Sequence, residues 1–128
     1  MAVAVEAAIR AGREAAERLM TTQVVIVRPG DMSDPVTGEP VTTPLYDGKA
    51  KLTSYEGHES ASLAGNREVS VQRMELHLPV GRVAVRRGDL VSVVGSRDAL
   101  LVGREFRITQ KAPYKEHATA YRCTVEER

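Results

Sequence analysis

The sequence predicts a mainly β fold: a small antiparallel β-barrel preceded by one N-terminal α-helix and carrying long exposed loops. Three observations predict it. Apolar residues recur at helical spacing only as far as residue 20, and the period is strand-like from there to the end. Turn-forming Gly, Pro and Asp separate six or seven short runs rich in Val and Ile, the pattern of a barrel or sandwich. Finally, 42% hydrophobic residues with only 4% aromatics means a core of Ala, Val and Leu, suited to thin β-branched layers. A chain of 128 residues is the size of one domain, 1–128, and can bury a core without cross-links.

Residues 3–20 form the predicted helix. Val5, Ala8, Ile9, Gly12, Ala16, Leu19 and Met20 make an apolar stripe of mostly small side chains, suited to close approach to a flat surface on the same subunit or a neighbour. Opposite charges at i,i+4 (Glu6–Arg10, Arg10–Glu14, Glu14–Arg18, Arg13–Glu17) add about 0.3 kcal/mol each, which offsets Gly12 and no more. The stripe must therefore dock.

The barrel is predicted over 23–126. Gln23 to Arg28 is a Val/Ile strand closed by Pro29-Gly30, and residues 29–46, with Pro35, Gly38 and Pro40, read as an exposed acidic arm or long hairpin. Asp47 to Tyr55 alternates, with Ala50 and Leu52 on one face. Glu56 to Arg67 holds one large apolar residue, Leu63, and reads as a long loop. In Glu68 to Leu78 the alternation slips near Gln72-Arg73, predicting a β-bulge. Val83 to Arg86 reads as a short strand, followed by a Gly88-Asp89 turn, a strand at Leu90 to Val94, and a turn at 95–98. Leu101 to Thr109 should carry Phe106 and Ile108 inward, and the last strand Thr119, Tyr121, Cys123 and Val125.

Chemistry is sparse. None of His58, His77 and His117 has a second ligand at metal-binding spacing; His58-Glu59 is the nearest approach, and His77 reads as a surface strand residue. Cys123, the single cysteine, forms no disulfide and is expected inside the barrel, where its thiol is inert. Ser60, Ser62 and Ser96 lack a hydrolase setting, and no phosphate-cradling glycine motif occurs. The sequence thus predicts no enzyme, no cofactor and no metal site. Arg87-Gly88-Asp89 is explained by its turn. No run approaches the ~20 apolar residues of a membrane span, and Met1 to Glu6 lacks a basic n-region, so a protein folded in the cytoplasm without an export signal is expected.

The net charge of +1 removes the electrostatic case for a polyanion as main partner, but the charges are unevenly placed. Residues 21–56 carry three basic and five acidic side chains, whereas 57–87 carry five arginines and three acids. Copies could join acidic arm to basic neighbour, which makes Asp31, Asp34, Glu39, Arg73, Arg82, Arg86 and Arg87 the candidate subunit contacts.

The order of these features, with Gly88-Asp89-Leu90-Val91, Gly103-Arg104-Glu105-Phe106-Arg107-Ile108 and the closing Ala118 to Glu127 segment, resembles the head-completion proteins (head-tail connector stoppers) of long-tailed bacteriophages. The resemblance implies a virion neck protein, assembled in the host cytoplasm as a dodecameric ring under the portal and adaptor. Such a ring retains the packaged double-stranded DNA, which it touches without sequence preference, and meets the tail terminator or tail tube. It further implies that the loop at 56–67 plugs the channel, with Gly57, His58, Glu59, Ser60, Ser62, Leu63, Gly65, Asn66 and Arg67 as plug candidates. Two alternatives stay open: a tail terminator or other neck ring protein, and, more distantly, a small nucleic-acid-binding β-barrel.

Overall fold

A computed structural model of the chain describes residues 2–54 and 73–128. One helix, α1 (Ala2–Arg18), precedes six strands: β1 (Thr22–Ser33), β2 (Pro40–Ser54), β3 (Arg73–Leu78), β4 (Leu90–Gly95), β5 (Glu105–Gln110) and β6 (Tyr121–Glu127). The strands close into an antiparallel barrel in the order β1-β2-β3-β6-β5-β4, with β4 returning to β1. Closure gives every strand of the barrel a partner on each side.

The barrel interior is filled by alternate residues of each strand: Val24 and Ile26, Ala50, Leu76 and Leu78, Val91 and Val93, Phe106 and Ile108, Cys123 and Val125. Phe106, Ile108, Cys123 and Val125 are the inward positions that the alternation predicts, and Phe106 is the largest residue of the interior. Burial pushes the Cys123 thiol up to about 12, and its S–H donates to the Leu76 carbonyl at 3.5 Å.

The register separates the two ends of the barrel. Gln23 pairs with Gly95, Ser54 with Met74, and Phe106 with Glu127, so the strand ends near these residues share one end. Val27 pairs with Leu90 and Leu78 with Tyr121, so these share the other. The helix leaves β1 at the first end and runs back along the outside of the barrel. Gly12 is so close to the loop before β6 that an added Cβ would lie 2.7 Å from Thr119 Cγ2.

Only the C-terminal half of α1 docks. Ile9, Gly12, Arg13, Ala16 and Glu17 are half-buried and Met20 is buried, whereas Val3, Val5 and Leu19 are exposed. Arg13 and Glu17, expected to pair with each other, reach the barrel instead. Arg13 Nε donates to the Ala118 carbonyl at 3.1 Å, and Glu17 meets Lys49 at 2.9 Å.

Several expectations are corrected. Residues 83–86 are not a strand. Their backbone groups bond to side chains instead: Val85 N–H donates to the Tyr121 hydroxyl at 3.3 Å and Arg86 N–H to Asp89 Oδ2 at 2.7 Å. The strand expected from Leu101 begins only at Glu105, because residues 99–103 turn and Gly103 takes a φ of 85°. The last strand begins at Tyr121, and Ala120, expected to face outward, is buried ahead of it. His77 does face away from Leu76 and Leu78, but only 13% of its side chain is accessible. The expected bulge near Gln72-Arg73 and the loop at 56–67 lie outside the described residues.

Candidate functional site

The acidic arm is a two-stranded ribbon. Beyond Val27, β1 pairs with β2 alone: Arg28 with Thr43, Pro29 with Thr42, Ser33 with Pro40. Asp34 closes the tip. Its Oδ1 accepts from Val36 N–H at 2.8 Å, its carbonyl accepts from Gly38 N–H at 2.8 Å, and its N–H donates to the Glu39 carbonyl at 2.7 Å. Gly38 has a φ of 73°, a conformation that costs a glycine little. The tip is uncovered: Met32 is 76% and Val36 90% exposed, and Asp31, Asp34 and Glu39 are accessible to varying degrees.

At the same end of the barrel, the segments 79–89 and 111–120 enclose a groove of about 710 Å³. Val85, Ala112 and Ala120 are buried beneath it, with Ala84 and Pro113 on its walls. Arg28, Arg86, Lys111, Lys115, His117 and Arg122 line it, and among the described residues no carboxylate does. Tyr114 is 93% exposed at its rim, with Lys111 Nζ 5.2 Å from the centre of its ring.

A buried ion pair joins ribbon and groove. Arg28 binds both carboxylate oxygens of Asp89 at 3.0 Å; the aspartate side chain is 2% accessible and the arginine 28%. The hydrogen bond to Asp89 holds the Arg28 guanidinium above its ordinary value, partial desolvation acting the other way. Asp89 also bonds through its backbone, its carbonyl accepting from Ile108 N–H at 2.9 Å, while the preceding Gly88, at a φ of 98°, donates to the Ile108 carbonyl at 2.7 Å. The Arg-Gly-Asp triplet is therefore a structural corner, with its aspartate turned inward.

The candidate contact residues divide between these features. Asp31, Asp34 and Glu39 are on the ribbon, and Arg86 lines the groove. Arg82 and Arg87 are exposed in the same 79–89 connection. Arg73 begins β3 at the opposite end, so it does not join them. The plug candidates Gly57, His58, Glu59, Ser60, Ser62, Leu63, Gly65, Asn66 and Arg67 lie outside the described residues. Lys111, Tyr114, Lys115 and Arg122 were not singled out from the sequence, and His117 was weighed only as a metal ligand, although a tyrosine flanked by lysines in a turn-rich segment was the available signal. Among the described residues no group of three or more His, Cys, Asp or Glu side chains is placed to hold a metal ion.

Residues 12–126 match the model of a family of unknown function, DUF6093. The chain belongs to this family. No curated protein matches it. The solution structure of protein SF1141 from Shigella flexneri 2a is similar in fold, with a TM-score of 0.51 at 17% identity, covering 84% of this chain and 92% of that one. At that identity the likeness bears on the fold alone.

Proposed function

We propose that the chain is a structural subunit of the bacteriophage neck: a head-tail connector stopper that forms a ring under the portal and adaptor, retains packaged DNA and provides the surface for tail attachment. The sequence resemblance in 88–91, 103–108 and 118–127 motivates this reading, and the ribbon carries it. A two-stranded hairpin is marginal in water by itself, yet here one extends past the barrel with Met32, Val36 and Val41 exposed. Such an element is stabilised when a neighbour covers it, as in a multisubunit ring. A tail terminator would share this property and is the nearer alternative.

The decisive experiment removes the protein from an infecting phage. Heads that package and then lose DNA, accumulating beside free tails, are expected. Intact tailed particles in its absence would contradict the proposal. Deleting Ser60 to Gly65 should leave thermal unfolding unchanged and weaken DNA retention; unchanged retention would remove the plug role.

A second reading is favoured by one observation. Tyr114 beside Lys111, with Lys115, Arg86 and Arg122 in the same groove, is the combination that binds single-stranded nucleic acid. Stacking of successive bases needs more than the one aromatic that is exposed at the groove among the described residues, so the reading stands second. Salt-sensitive oligonucleotide binding that quenches tyrosine fluorescence would raise it to first.

A further inference from the structure

We infer that the ribbon tip, residues 31–39, seats in the basic groove of a neighbouring copy, so that subunits join head to tail. The inference deepens the neck reading and rests on it only for closure of the contacts into a ring.

Charge is complementary. The tip holds Asp31, Asp34 and Glu39 and no basic residue. The groove holds Arg86, Lys111, Lys115, His117 and Arg122 with no lining carboxylate among the described residues, and its remaining arginine, Arg28, is already bound to Asp89. Apolar surfaces match as well: the tip offers Met32 and Val36, and the groove walls offer the exposed Ala84 and Pro113. Burying Val36 together with these residues adds the hydrophobic contribution that charge pairs at an exposed rim lack.

The contact must be between chains. Arg28 lines the groove at the base of the ribbon, and strand pairing carries Ser33 five residues further, roughly 17 Å away. The paired strands cannot fold the tip back onto their own groove without breaking the ladder. Tip and groove are different patches, so the contact is heterologous and generates rings or filaments.

The test mixes two full-length variants, Val36→Cys and Tyr114→Cys, with a short bismaleimide; native Cys123 is buried and stays silent. Cross-linked dimer is expected from the mixture and not from either variant alone. Lys111→Glu with Lys115→Glu in the groove chain should cut the product about tenfold, the result of placing like charges together. Asp31→Lys with Glu39→Lys in the tip chain should restore it, Asp34 being spared because it closes the turn. No mixed product at any concentration, or a yield indifferent to charge reversal, overturns the inference. So does an oligonucleotide that occupies the groove while no cross-link forms. A neck phenotype without cross-linking overturns this contact alone; cross-linking without a neck phenotype supports the contact and removes only the neck role.

Discussion

The two ends of the barrel treat charge differently. At the end where β5 begins and β6 finishes, charged side chains are paired: Arg104 with Glu127 at 2.9 Å and Arg128 with Glu105 at 3.5 Å. The turn there is closed by backbone bonds, Gly103 N–H to the Val93 carbonyl at 2.8 Å and Val93 N–H to the Arg104 carbonyl at 3.0 Å. At the ribbon end Arg28 is neutralised by Asp89, and among the described residues the cations of the groove have no carboxylate in its lining. The acids they would need are held out on the ribbon. Charge that is balanced over the chain but separated in space is what an interlocking subunit requires, and the near-zero total conceals it.

Substitutions can break this contrast, beginning with the interior that both ends share. Phe106→Ala should cost about 3 kcal/mol in urea unfolding, since the ring is 1% exposed in the barrel; a loss near zero would mean that the interior is not closed as described. Asp89→Ala should cost about 2 kcal/mol and act on one end only. Amides of 28–33 and 83–88 should exchange faster, while those of 99–105 should not change. Gly12→Leu should cost about 1 kcal/mol by overpacking against Thr119, releasing α1 and exposing it to protease with the barrel intact. Arg104→Ala, at the paired end, should cost under about 1 kcal/mol because both partners are solvent-accessible.

The smallest effect expected is pH dependence from His77. Burial lowers its pKa below 6.5, and Arg122 and Lys51 act in the same direction, against the hydrogen bond and charge of Glu75. The unfolded chain therefore takes up this proton first. Its contribution to stability is complete above pH 6.5 and is lost as pH falls from there through the folded value. His77→Gln should flatten stability over that window; an unchanged slope would assign it to other groups.

The barrel was legible because burial acts through period two. Ala50, Leu76, Phe106 and Cys123 fall on the inward phase whatever the loops do. Val83 to Arg86 shows the limit of that signal. Its apolar residues look like a strand, but Val85 is buried beneath the groove, and its hydrogen bonds go to the side chain of Tyr121, distant in sequence, and of Asp89, three residues beyond Arg86. The acidic arm could be read from its turn residues. Its partner could not, because Arg86, Lys111 and Arg122 come from three separate segments that only the closed barrel brings together. The charge asymmetry along the chain grouped Arg86 with Arg73, which the register sets at opposite ends, since adjacency in sequence does not report which end of a barrel a strand starts from.

The most direct test of the account follows backbone amide chemical shifts of the intact chain as it is concentrated at low salt. If ribbon tip and groove are two halves of one contact, shifts at 31–39 and at 111–122 move together, and both revert with added salt. The paired end, 99–105 and 126–128, stays still. Movement at that end, or no movement at the tip and groove, would contradict the central claim.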